Sequence, residues 1–176
     1  MKRYRTAHWR RLREDVRDRA PGFAKHLRDI ARPHQIAFQQ VMASCGGNPA
    51  GVECKHVSGK GWAFILPDAH GQSSWRIQHF DADGFIGHTG HKSLVEATEA
   101  MIAEGYRVID PGALDRSAAT LRWAIGVKRE ELRLLFNQGK IEWKEMLDRM
   151  QQVGKSIRRA AAIRRLASMS GREGVI

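Results

Sequence analysis

Apolar residues in the first quarter of the chain return at helical spacing. Trp9, Leu12, Val16 and Ala20 fall on one stripe of a helix expected over residues 3–19, with Arg and Asp on its other faces. Pro21 ends it or opens the next. Phe23, Leu27 and Ile30 predict a second, short helix closed by Pro33, and a third is expected over 34–44 with Ile36, Ala37 and Val41 inward. Residues 45–51, CGGNPAG, read as a loop. The period then shortens to two. Residues 52–57, 62–66, 75–80 and 85–88 read as strands separated by turns at 58–61, 67–74 and 81–84. The last turn, DADG, suits a hairpin because Asp and Gly tolerate positive φ. Ser93 and Glu96 form a capping box for a helix with Leu94, Ala97, Met101 and Ile102 buried and Gly105 as its stop. Residues 106–109 read as a returning strand.

Helical spacing resumes after Asp110-Pro111, which reads as cap and first turn. Leu114, Ala118, Leu121 and Ile125 form a stripe up to Gly126. A helix over 128–138 follows with Leu132, Leu135 and Phe136 inward, and Gly139 stops it. A long last helix from about Ile141 carries Trp143, Leu147, Met150, Val153 and Ile157 as its stripe, then alternates paired arginines with Ala and Ile. Leu94, Met101, Leu114, Leu121 and Leu135 are the expected core markers. These elements predict an α+β fold, a small antiparallel β-meander covered by a helix and flanked by N-terminal and C-terminal helical segments. The expected organisation is a basic helical extension over 1–45, the meander and its helix over 46–110, and a helical segment ending in a basic helix over 111–176.

Charge changes the picture from fold to function. The net charge is +11 over 176 residues, but its placement is uneven. Residues 1–32 carry eleven Lys/Arg against four Asp/Glu, and residues 154–176 carry six against one. The body between them, with thirteen bases and fourteen acids, is close to neutral. Clustered arginine suits phosphate, because the guanidinium fork pairs two oxygens and keeps its charge when partly desolvated. The expected function is therefore non-enzymatic nucleic-acid binding, with phosphate gripped by Arg10, Arg11 and Arg13 at one end and Lys155, Arg158, Arg159, Arg164 and Arg165 at the other. The four arginines of the last helix read as lying off its apolar stripe. The competing reading is a protein-interaction module, an adaptor or inhibitor acting on a nucleic-acid-processing machine, that docks through the apolar stripes of the end helices. No run approaches the ~20 apolar residues of a membrane span, so no membrane insertion is expected. The basic N-terminus leads into no apolar stretch of a secretory signal, and the expected location is the cytoplasm.

Residues 120–147, TLRWAIGVKREELRLLFNQGKIEWKEML, resemble the helix-turn-helix of phage-repressor type. Gly126-Val127 stands at the turn, Leu132 and Leu135 at the inward positions of the second helix, and Gly139-Lys140 at its exit. Arg122 stands where that family places a small residue. The resemblance implies that Lys128, Arg129 and Arg133 face nucleic acid, and it favours duplex DNA over RNA. The meander with Gly51-Val52, Gly61-Trp62-Ala63, Trp75-Arg76-Ile77 and the Ser93-x-x-Glu96-Ala97 helix start also looks like the plant-type AP2 fold, whose sheet enters the DNA major groove. That implies a contacting sheet face, with Arg76 the candidate and Lys55, Lys60 and Lys92 beside it.

Metal chemistry has weaker candidates. His79, His88 and His91 lie near Asp81 and Asp83, the set a metal-dependent nuclease would need, but no Cys-x-x-Cys accompanies them. Asp81-x-Asp83-Gly84 meets Lys92 where a calcium loop requires Glu. Cys45, Cys54 and His56 are too few for a closed site, and both cysteines are expected as reduced thiols. No metal, cofactor or catalytic set is expected; no phosphate-binding glycine loop or nucleophile elbow occurs.

Overall fold

The computed structural model describes residues 5–7, 9–11, 21–69, 71 and 73–170. Its elements, in chain order, are α1 (Pro21–Ser44), β1 (Cys54–His56), β2 (Trp62–Pro67), β3 (Trp75–Asp81), β4 (Gly84–His91), α2 (Leu94–Ala103), β5 (Tyr106–Ile109), α3 (Ala113–Ala118), α4 (Leu121–Asn137) and α5 (Trp143–Ser170). The fold is α+β. Its contacts divide it into two compact units, one of Met1–Asp81 with Ile86–Leu114, the other of Ala82–Phe85 with Asp115–Ile176.

In the first unit the strands order as β4-β3-β2-β1-β5. The pairs β1–β2, β1–β5 and β2–β3 are antiparallel. Register fixes the two faces. Ala63 opposite His79 and Cys54, and Ile65 opposite Ile77, point to the helices; Trp62 opposite Phe80 and Lys55, and Leu66 opposite Arg76, point away. On the helix side, Cys54, Ala63, Ile65 and Ile77 join Ala37, Phe38, Val41 and Met42 of α1 and Ala97, Met101 and Ile102 of α2 in one buried cluster. Each large side chain so buried stabilises the fold by roughly 1.5–3 kcal/mol. Thr98, also fully buried, donates its hydroxyl hydrogen to the Leu94 carbonyl, so no polar group is stranded there.

The strands and α2 fall within a few residues of expectation. The Ser93 cap is as expected: its hydroxyl accepts the Glu96 N–H, while the Glu96 carboxylate accepts the Lys92 N–H. Gly105, at φ +103°, ends the helix, and a Cβ there would stand 2.5 Å from His56 Nε2.

The helical segments differ more. Pro33 closes nothing, since α1 runs through it. Proline there removes one helical hydrogen bond, a loss of about 3 kcal/mol, but Ala31 before it and Ala37, Phe38, Val41 and Met42 after it are all buried, and that packing holds the helix together. Residues 21–44, expected in a basic extension, thus supply core. Ile36, expected inward, is exposed. The second unit departs likewise. α4 continues through Gly126, where a turn was expected, and the chain breaks instead before Leu121. Thr120 caps α4, its hydroxyl accepting the Trp123 N–H at 3.1 Å. That break resets the helical phase, so Trp123 is buried and Leu121 is 44% exposed. Of the other core markers, Met101 is fully buried and Leu94, Leu114 and Leu135 are half-buried. In α5, Met146 is buried, while Trp143 and Leu147 are exposed. α3 begins at Ala113, two residues after Pro111; Asp110 accepts the Trp62 indole N–H, and the Glu53 carboxylate accepts the N–H groups of Ala113 and Leu114.

Candidate nucleic-acid interface

α5 spans 28 residues, about 42 Å at 1.5 Å per residue. Its one face is apolar. Met146 is buried, and Met150, Val153, Ile157 and Ala161 are half-buried at spacings of four, three, four and four. Its acids stand at the start; beyond Asp148 the helix contains none. Arg149 pairs back to Glu145. Lys155, Arg158 and Arg159 are all exposed, and together with the position of Arg165 they occupy an arc of about 120° at 100° per residue. From Lys155 to Arg165 is about 15 Å of axis, roughly the rise of four phosphates on one duplex strand. Arg164 is a correction: it stands seven residues after Ile157 and so shares the register of the apolar stripe rather than lying off it. The side chains of Arg164 and Arg165 lie outside the described residues, as does Arg13 entirely.

The bases of α4 are differently placed. Lys128 Nζ is 2.6 Å from Glu131, and Arg133 is 2.8 Å from Glu130. Arg122 makes a two-pronged contact with Asp83 at 2.8 and 2.6 Å, which holds the Asp83 carboxyl below its usual range. Arg129 adds to that field from further away. Gly126 lets the Asp83 carbonyl approach: a Cβ on it would stand 1.6 Å from that oxygen. The turn that the helix-turn-helix resemblance places at Gly126–Val127 is therefore helix interior, and the expected reading helix spends its charge on neighbouring carboxylates.

In the first unit, Arg10 and Arg11 are exposed on a segment docked by hydrogen bonds. The Thr6 N–H donates to Gln35 Oε1 and the Ala7 N–H to Glu99. Arg76 stands on the sheet face away from the helices, half-buried, its Nε buried without a hydrogen-bond partner. Lys55 shares that face, its Nζ 5.7 Å from the Trp62 ring centroid. Trp62 stacks on Phe80 at 5.6 Å, and Phe64 meets Phe80 edge-on at 5.9 Å. Phe64 is marked in the sequence by the alternation from Trp62 through Phe64 to Leu66.

Among the described residues, no three His, Cys, Asp or Glu side chains are placed to share a metal ion. His79 pairs with Glu104 at 2.8 Å, and His91 lies 3.2 Å from the Thr89 hydroxyl. Burial and the neighbouring Cys45 push the Cys54 thiol up to about 12. No described helix is long and apolar enough to cross a membrane. Comparison with protein-family models, with characterised proteins and with solved structures finds no match to the chain.

Proposed function

We propose that the protein binds nucleic acid without chemically altering it, and that the C-terminal half of α5 grips the phosphate backbone. The observation that carries this is the acid-free run of α5. Lys155, Arg158 and Arg159 are exposed and, among the described residues, have no carboxylate partner, whereas Lys128 and Arg133 of α4 each do. Unpaired arginine and lysine on one arc release counterions when they meet phosphate, and that release drives binding. Duplex DNA is the first target, because its major groove admits an α-helix while that of A-form RNA is too narrow for side chains to read.

The test is binding to duplex DNA across a range of salt. Replacing Lys155, Arg158 and Arg159 together with Gln is expected to weaken binding on every sequence and to flatten the log–log salt slope by about 2.7, at ~0.9 per phosphate contact. A folded triple variant with the affinity and slope of the parent would overturn the proposal, as would a parent with no affinity for duplex DNA at low salt. A second reading, docking of a protein partner, is supported by Trp143 and Leu147, one helical turn apart on α5 and 56% and 40% exposed. It predicts a complex that survives high salt.

A further inference from the structure

We infer that a hollow between α1 and the N-terminal segment binds a single nucleotide, its base on Trp9 and its phosphate between Arg5 and Arg32. The inference stands apart from the α5 reading, on other residues of the other unit. The hollow has a volume of about 310 Å³ and is lined by Arg5, Trp9, Arg32, Gln35, Ile36 and Gln39. Helical spacing makes its α1 wall, since Arg32, Gln35, Ile36 and Gln39 fall on one face of that helix. The volume lies at the lower end of the ~300–1,000 Å³ of small-ligand pockets. It has room for one nucleotide and none for a paired duplex.

The two walls are tied to each other. Thr6 is buried, and its N–H donates to Gln35 Oε1 at 3.0 Å. Gln35, also buried, is therefore a strut between the walls rather than a ligand contact. The Thr6 hydroxyl accepts the Trp9 N–H at 3.0 Å and the Thr6 carbonyl accepts the Arg10 N–H at 3.1 Å, so Thr6 caps the turn that carries Trp9. The Ala7 N–H donates to Glu99, which fastens the same segment to α2. Arg5 precedes the cap and Trp9 follows it, so both stand against α1 before any ligand arrives. A site built in advance loses less affinity to ordering when it is filled.

The lining fits the parts of a nucleotide. Arg5 and Arg32 are exposed and make no ion pair among the described residues, and no described Asp or Glu lines the hollow. Two guanidinium forks without a carboxylate suit a phosphate, which can take two hydrogen bonds from each. Trp9 is half-buried and lines the hollow, and Ile36 is 44% exposed. A ring and an apolar side chain in one hollow suit a flat base, which stacks on tryptophan whatever its identity. Gln39, about 10 Å along the helix axis from Arg32, brings an amide that can both donate to and accept from a base edge. Inorganic phosphate would leave Trp9 and Ile36 unused, and an uncharged ring would leave the two arginines unused. A free mononucleotide and the phosphorylated end of a strand carry the same chemistry.

The experiment titrates the full chain by calorimetry with adenosine 5′-monophosphate, adenosine, inorganic phosphate, and a single strand of about 8 nucleotides with and without a 5′-phosphate. The monophosphate is expected to bind about 10- to 100-fold more tightly than adenosine or inorganic phosphate. Arg5→Gln and Arg32→Gln, at exposed positions where the fold is expected to survive, should each weaken it about 10-fold or more. Trp9→Leu should weaken it about 5- to 100-fold, and Trp9→Phe, which keeps a ring, should restore most of that loss. Duplex affinity should not change in these variants, and the α5 triple substitution should leave the monophosphate titration as it is, so the two readings fail separately. Tighter binding of the phosphorylated strand than of the monophosphate assigns the site to strand ends, and the reverse order assigns it to free nucleotides; both support it. No saturable binding of either, equal affinity for the monophosphate and inorganic phosphate, or parent affinity in both arginine variants would overturn it. A glutamate–tyrosine copolymer that binds in an Arg5- and Arg32-dependent way where the monophosphate does not would give the hollow to a protein partner instead.

Discussion

Cys54 and Cys45 show how position decides the chemistry of one residue type. Cys54 is fully buried on β1, where desolvation disfavours the thiolate and raises its pKa to about 12. Cys45 is half-exposed, its Sγ 3.0 Å from the Val41 carbonyl. Thiol reagents act on the thiolate. One thiol per folded chain, that of Cys45, is therefore expected to react with a disulfide dye at pH 8, and Cys54 only after denaturant. Two fast-reacting thiols in the folded protein would contradict the burial. The same shift has a stability consequence. A group whose folded pKa is raised stabilises the fold fully below its unfolded pKa and loses that contribution as pH rises through the folded value. The urea midpoint is therefore expected to fall as pH climbs from about 9 toward about 12, with Tyr106, also raised by burial and then by Glu104, acting in the same direction.

Two glycines in helix interiors make opposite predictions at the scale of elements. In an open helix Gly→Ala is stabilising by about 1 kcal/mol. Gly154 in α5 has nothing within 4 Å of where its Cβ would stand, so Gly154→Ala is expected to gain up to that amount. Gly126 in α4 has the Asp83 carbonyl oxygen at 1.6 Å from that point, so Gly126→Ala must displace the Asp83 backbone or the helix. A net loss of about 1–3 kcal/mol is expected there. Urea denaturation of both variants checks this, and equal gains would place Asp83 wrongly. The pair also explains what could be read from the sequence. Strands 62–67 and 75–81 and the Ser93 cap follow from local alternation and local hydrogen-bond chemistry, and they were legible. The Gly126 reading was not, because its cause stands 43 positions away at Asp83. Pro33 misled for a related reason: local propensity gave way to core contacts on both sides of it. The break at Thr120 was missed because Leu114, Ala118, Leu121 and Ile125 continue a helical period straight across it. Of the candidate site, the acid-free run of α5 was plain in composition. The pairing of Lys128 and Arg133 with acids three residues away is visible in spacing. The aromatic sheet face needed the register, which no single strand declares.

Over the whole molecule the charge is shared between the units. The unit of Ala82–Phe85 with Asp115–Ile176 holds fourteen bases and eight acids; the other holds sixteen and eleven. Each unit thus carries its own positive excess, and the proposed contact surface, α5, lies in the second. The second unit is discontinuous in sequence, and its short stretch is not dispensable. Phe85 meets Trp123 edge-on at 5.2 Å, and Asp83 holds Arg122. A fragment of residues 115–176 lacks both partners. It is expected to melt at lower temperature and less cooperatively than the same helices in the full chain; a melt as sharp and as high as the parent's would show that the four-residue stretch adds nothing.

That discontinuity also sets a schedule for synthesis. Phe85 is made 38 residues before Trp123, a wait of roughly 2–8 s at ~5–20 residues per second. During that interval Phe85 and Ile86, which stay 50% and 63% exposed even in the finished protein, sit beside each other at the tip of a completed hairpin. A nascent chain paused there offers a short apolar tip to chaperones or to neighbouring chains, so slow decoding between these two positions is where losses in yield would concentrate.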